Sequence, residues 1–263
     1  MASILYPRLP KSWAELEKDE QRQVTQIIEV ADNLARVRER IVGAAVDAGR
    51  DPQEITLVAV SKTHPTAAVE AALVAGQRDF GENLVEEAWS KFAASDAPLV
   101  ERSEARLHLI GPIQSRKAAL AVSCRPVLVH SVDRLKIASR LDRFAAEAGL
   151  VLDVLLEVNV SGEESKFGFT PAGLQRDVEA LLSLPNLNVS GLMTIPPYDP
   201  DPELARPHFA ALRALQETLA AQYGAARWRH LSMGMSHDFE VAISEGATLV
   251  RVGTAIFGTR ELG

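Results

Sequence analysis

Eight short strand-like runs, most of them rich in apolar and β-branched residues and alternating with stretches of helical spacing, constrain this chain more than any other feature of it. The runs cover 55–60, 79–81, 106–110, 127–132, 152–159, 187–193, 228–231 and 248–252. Between and after them, helical patterns occupy 66–75, 85–94, 115–122, 134–148, 171–182, 203–223 and 239–244. An amphipathic stretch, 24–48, precedes the first run, with Ile27, Val30, Leu34, Val37, Ile41 and Ala45 on one face and Gly49 as its stop. Near-continuous apolar strands belong to parallel sheets buried on both faces. Eight strand–helix units in a chain of 263 residues predict an α/β protein, a single (β/α)8 TIM barrel. The competing arrangement is an open doubly wound sheet, but no G-x-G-x-x-G follows the first strand. No linker interrupts the alternation, so residues 23–263 are expected to form one barrel and residues 1–22 an N-terminal helical extension.

Charge and cysteine usage narrow the function classes. The net charge is −7 and the basic residues are scattered, which argues against a nucleic-acid partner. The single cysteine, Cys124, allows no internal disulfide and fits a reducing compartment. No apolar stretch is long enough for a membrane span, and the first ten residues lack a signal-peptide core. The expectation is a cytoplasmic protein without a membrane partner.

In such barrels the chemistry sits at the carboxyl ends of the strands. Lys62 stands there after the first run, three residues before Pro65. Phosphate groups are often held by the loops after strands seven and eight. Here these are Ser232-Met233-Gly234-Met235-Ser236 and Gly253-Thr254-Ala255, each combining glycine with a hydroxyl group. Arg251 lies inside an apolar strand, where a guanidinium requires a partner. Two readings stay open for it: an ion pair with Glu157 or Glu82, or a ligand contact. His108 and His130 fall within strand runs and read as core histidines, whereas His64 and His237 fall on loops at the active end. No cluster has metal-ligand spacing, and there is no G-x-S-x-G. A lysine facing a phosphate cradle suits a ligand with an aldehyde and a phosphate. Pyridoxal 5′-phosphate fits, with Lys62 as Schiff-base partner.

Several stretches carry a family resemblance: Val60-Ser61-Lys62-Thr63, Phe80-Gly81-Glu82-Asn83, His108-Leu109-Ile110-Gly111-Pro112, Lys166-Phe167-Gly168, Ser232-Met233-Gly234-Met235-Ser236-His237-Asp238 and Val250-Arg251-Val252-Gly253-Thr254. From about residue 25 onward the chain resembles the pyridoxal phosphate homeostasis protein family, itself similar to the N-terminal barrel of alanine racemase. The resemblance implies Lys62 as the lysine bound to the cofactor aldehyde. It implies Ser232, Gly234, Gly253 and Thr254 at the phosphate, Asn83 along the cofactor, and Arg251 facing the pyridine nitrogen. The function it implies is a cofactor carrier that holds pyridoxal phosphate and delivers it to apo-enzymes, with no residue assigned to turnover. The alternative is a pyridoxal phosphate-dependent amino-acid racemase. Racemisation needs acid/base groups on both faces of the substrate adduct. In alanine racemases one is a Tyr from a C-terminal β-domain, which is not expected here, and of the tyrosines only Tyr198 is expected near the mouth. A cofactor-free Schiff-base aldolase is a third reading. Without the second domain, a monomer is expected. His64 and Arg116 depart from the family pattern, outside the implied cofactor contacts.

Overall fold

The computed structural model of the protein describes residues 13–94, 98–163 and 166–259. Eight parallel strands run in sequence order and close on themselves: β1 (Thr56–Val60), β2 (Asp79–Glu82), β3 (Arg106–Leu109), β4 (Leu128–Val132), β5 (Leu152–Glu157), β6 (Leu187–Met193), β7 (His230–Ser232) and β8 (Leu249–Val252). Closure is pinned by β1 against β8, in register from Thr56 opposite Leu249 to Ala59 opposite Val252. Every residue of β2, β4 and β8 is buried. This two-sided burial is what turns an unbroken apolar run into a barrel stave.

The outer layer comprises α1 (Trp13–Asp47), α2 (Thr66–Val74), α3 (Val85–Ala88), α4 (Leu99–Arg102), α5 (Ala118–Ser123), α6 (Leu135–Ala148), α7 (Pro171–Leu182), α8 (Arg206–Tyr223), α9 (Phe239–Ser244) and α10 (Thr254–Phe257). After β8 the described residues make a single turn, α10. The flank of the β8–β1 seam is covered instead by α1, which packs against α2, α9 and α10. The predicted stripe is the reason: Val30, Leu34, Val37, Ile41 and Ala45 are all buried. Each large member contributes about 1.5–3 kcal/mol on leaving water. Polar contacts fix the helix further. Asn33 donates to the Ile256 carbonyl at 2.8 Å, and Arg40 holds Glu240 through two hydrogen bonds of 2.7 and 2.9 Å. The helix runs without a break through residue 22, and residues 1–12 lie outside the described part.

Several boundaries differ from the sequence reading. The expected seventh strand, 228–231, is shifted to His230–Ser232, because Trp228 ends a 3-10 turn and buries its ring there rather than in the sheet. The expected eighth strand begins one residue later than predicted, at Leu249. Thr248 is taken up by its side chain, which accepts a hydrogen bond from the Leu231 amide at 3.0 Å. The fifth strand ends at Glu157, two residues early. Beyond it Asn159 pairs with Phe169 in the loop. The helix expected over 203–223 begins with a 3-10 turn, Pro202–Ala205, capped by the Asp201 side chain. The helix over 85–94 changes to a π-helix at Trp89–Ala93, and that over 115–122 starts as a 3-10 turn. α4 and α10 were not expected; both are single turns, too short for a periodic signal.

Candidate functional site

The carboxyl ends of β1, β2, β7 and β8 open into one cavity of about 260 Å3. Lys62, Asn83, Arg251, Gly253 and Thr254 line it, together with Ser236, His237 and Tyr198. A larger cavity of about 480 Å3 lies at the other end, between α1 and the starts of β1 and β2. Its arginines are engaged in the protein: Arg78 with Glu104 at 2.6 Å, Arg38 with Gln77 at 3.2 Å. The smaller cavity is the one at the end of the strands where barrel chemistry resides.

Lys62 is half-buried and sits on a tightly held turn. The next residue, Thr63, has φ +68°, which costs a β-branched residue about 1–3 kcal/mol. Its amide donates to Glu87 Oε1 at 2.5 Å. Lys91, brought inward on the π-helical turn, donates to Glu87 at 2.7 Å, to Glu82 at 2.9 Å and to the Ser61 carbonyl at 2.7 Å. Ser61 Oγ in turn donates to Glu82 at 2.7 Å. Burial raises the Glu82 carboxyl above its ordinary range, while Ser61 and Lys91 pull it back. A buried Ser–Glu–Lys–Glu network thus clamps the backbone on both sides of Lys62. Neither Lys91 nor Glu87 was singled out from the sequence; their connection to Lys62 runs through tertiary contacts alone.

Asn83 follows β2 and is packed against Gly111, where an added Cβ would come within 2.5 Å of Asn83 Oδ1. At the facing wall, the amides of Gly253 and Ala255 converge on one oxygen, Ser236 Oγ, at 3.2 and 3.4 Å. Two amides aimed at a single oxygen position, with Thr254 between them, form a donor set suited to an anion. Ser236 was not among the predicted site residues. Ser232 was, but its hydroxyl is fully buried below the cavity and bonded to His130 at 2.8 Å and Arg251 at 2.6 Å. Gly234 is likewise absent from the cavity lining. It has φ +91°, and a Cβ there would meet Ala242 Cβ at 2.7 Å, so its place is to let the loop pack on α9.

Arg251 is 4% exposed. Nη1 donates to Ser232 Oγ and Nη2 to the Thr194 carbonyl at 2.9 Å, so the guanidinium bridges the ends of β6, β7 and β8. Burial brings it down to about 10, opposed by Glu157 and Asp238, and it stays charged at neutral pH. The ion-pair reading of Arg251 is thereby refined. Its hydrogen bonds go to Ser232 and Thr194, and Glu157 acts on it through space. Glu157 ends β5 with Oε2 buried and unbonded. Burial and the neighbouring Asp133 carboxylate push it up to about 7, with Arg251 opposing. Around the rim, His64 stacks near Phe257 with ring centroids 5.3 Å apart. Tyr198, 76% exposed, lies 5.5 Å from His237, whose Nε2 meets the Asp199 carbonyl at 2.9 Å. Lys166 supports this loop, donating to the Pro196 carbonyl at 2.8 Å.

Fold and mouth define a class: a closed eight-stranded parallel barrel in which a strand-end lysine and the Gly253 loop line one cavity. The family model of the alanine racemase N-terminal domain matches residues 27–261. A pyridoxal phosphate homeostasis protein of Pseudomonas aeruginosa is 50% identical over 241 residues, covering 89% of this chain and 97% of that one. One from Aquifex aeolicus is 44% identical over 230 residues, covering 88% and 98%. The structure of PipY from Synechococcus elongatus with pyridoxal phosphate bound is similar with a TM-score of 0.75 and 38% identity, covering 87% of this chain and 100% of PipY. The chain belongs to the pyridoxal phosphate homeostasis protein family. Among the described residues no helix is long and apolar enough to cross a membrane.

Proposed function

We propose that this protein binds pyridoxal 5′-phosphate as a Schiff base on Lys62, holds it out of free solution and delivers it to apo-enzymes. The observation that carries the reading is the shared cavity: an amine at one wall, and at the other the Gly253 and Ala255 amides converging on one oxygen position. The bound cofactor supplies an aldehyde that condenses reversibly with an amine. The chain's own residues do the rest. The Ser61–Glu82–Lys91–Glu87 network fixes the backbone that carries Lys62. Gly253, Thr254 and Ser236 receive the phosphate, with Ser236 taking the part that the family resemblance assigns to Ser232. Asn83 lines the ring, and Arg251 faces the ring nitrogen. A guanidinium does not give up its proton to that nitrogen, so the ring remains a weak electron sink, as befits storage more than turnover. The barrel of residues 23–263 is proposed as the binding unit, acting as a cytoplasmic monomer.

Tyr198 on the cavity wall keeps a racemase reading in view, because its phenol is the kind of group a second face requires. One experiment separates the two. Purified protein loaded with the cofactor is reduced with borohydride and the modified peptide identified by mass spectrometry; loaded protein is then incubated with an apo-enzyme and, separately, with L- or D-alanine. The expected result is label on Lys62, lost in Lys62→Ala, and recovery of apo-enzyme activity without racemisation. Label on another lysine overturns the assignment. Sustained racemisation that vanishes in Lys62→Ala and in Tyr198→Phe overturns the carrier reading.

A further inference from the structure

A line of buried polar groups crosses the barrel interior from its amino-terminal end to the cavity. Asp79 opens β2, and its Oδ1 lies 2.9 Å from His108 Nε2. His108 Nδ1 lies 2.9 Å from His130 Nε2. His130 Nδ1 lies 2.8 Å from Ser232 Oγ, which accepts from Arg251 Nη1 at 2.6 Å. All five side chains are buried, His130 and Ser232 completely. Such groups are costly inside a core unless each donor meets an acceptor.

The two ends determine the direction of every bond between them. Asp79 is a carboxylate: burial works against its charge, but hydrogen bonds from His108 and Arg106 outweigh it. It only accepts, so His108 Nε2 carries a proton. Burial, with His108, Arg251 and His230, holds His130 well below the usual range, so that ring is neutral. At the other end Arg251 only donates, so Ser232 Oγ accepts from it and turns its own O–H to His130 Nδ1. His130 therefore carries its proton on Nε2 and gives it to His108 Nδ1. Every donor has one acceptor in this arrangement. A protonated His108 would force His130 to donate to Ser232 as well, leaving the serine proton with nowhere to point. The line is thus polarised in one sense, from the guanidinium to the carboxylate.

We propose that Asp79, His108, His130 and Ser232 act as positioning residues for Arg251, a relay that holds the guanidinium in the cavity wall and makes the ring environment of the cofactor depend on a carboxylate at the opposite end of the barrel. The coupling to the cofactor rests on the function proposed above; the relay itself does not. Other charges near the two ends are Arg106, Asp153, Arg229 and His230 around Asp79, and Glu157 and Asp238 around Arg251. The hydrogen bonds of this line and those of the Ser61–Glu82–Lys91–Glu87 clamp involve different residues, so breaking the line leaves the clamp in place.

The test has two readouts on the full chain. The first is the imidazole nitrogen spectrum of cofactor-free protein, expected to show His108 and His130 both protonated at Nε2 and bare at Nδ1. Asp79→Asn replaces the charged acceptor of the His108 Nε2 proton by a neutral amide and is expected to weaken that hydrogen bond, read as a displaced His108 Nε2 resonance. The second is titration with pyridoxal phosphate. Asp79→Asn and Ser232→Ala each are expected to bind about fivefold more weakly, the equivalent of one hydrogen bond, with a displaced absorption maximum. The double variant is expected to be no weaker than Ser232→Ala alone, because both cut one line. A proton on Nδ1 of either histidine in the unmodified protein overturns the relay. So does unchanged affinity and spectrum in Asp79→Asn, or a double variant whose losses simply add. Unmodified protein that takes up no cofactor overturns the function proposed above, and the imidazole spectra then judge the relay by themselves. Both substitutions preserve volume within one atom, and if one variant fails to fold the other decides.

Discussion

Replacing Glu157 by Gln tests the electrostatics around Arg251 most directly. Glu157 is 6% exposed and its Oε2 has no hydrogen-bond partner. Burial and Asp133 raise its carboxyl from 4.5 to about 7. A raised acid binds its proton more tightly in the folded state than in the unfolded one. The folded protein thus gains from protonation below pH 4.5 and loses that gain as pH rises towards 7. At about 1.4 kcal/mol per unit, the loss is on the order of 3 kcal/mol. Glu157→Gln cannot titrate there and keeps the shape of the protonated acid. Urea unfolding of both proteins from pH 4 to pH 8.5, with the two free energies subtracted at each pH, isolates this group from the other titrations. The variant is expected to gain about 3 kcal/mol relative to the parent between the ends of that range, most of it between the two pKa values. Asp133 titrates next to Glu157, so the curve belongs to the pair, but its sign does not change. A difference that stays flat, or that falls as pH rises, refutes the reasoning.

Four further outcomes follow from the packing. Lys91→Met strands the Glu82 and Glu87 carboxylates and is expected to cost about 3–5 kcal/mol in urea unfolding; it also frees the turn at Thr63, read as slower borohydride trapping on Lys62. Gly111→Ala drives a methyl group into Asn83 and is expected to cost about 1–3 kcal/mol with weaker cofactor binding by titration. Leu34→Ala empties a fully buried site under α1 and is expected to lose about 2–5 kcal/mol by the same unfolding assay, leaving cofactor affinity unchanged. Cys124 is fully buried and burial pushes its thiol up to about 12, so an aromatic disulfide reagent is expected to leave it unmodified in the native protein and react only on unfolding.

The sequence by itself determined the class of fold, because two-sided burial leaves an unmistakable mark: largely apolar runs such as β1 and β5, alternating with helical periods along the chain. The same rhythm put Lys62 and the Gly253 loop at the carboxyl ends of their strands, and with them the mouth of the site. Strand edges were less legible. Trp228 is buried like the strand residues yet caps a 3-10 turn, since burial and backbone conformation are separate properties. Which hydroxyl meets the cradle was decided only in three dimensions. Ser232 and Ser236 stand four residues apart in one loop, but the first ends β7 and points into the core while the second reaches the Gly253 amides. His108 and His130 read as core histidines, and they are. That each completes the other's hydrogen bonding, between a carboxylate at one end of the barrel and a guanidinium at the other, depends on ring closure bringing β2, β3, β4, β7 and β8 around one axis. Periodicity records which side chains are buried; the partners they are buried with are set by closure of the sheet.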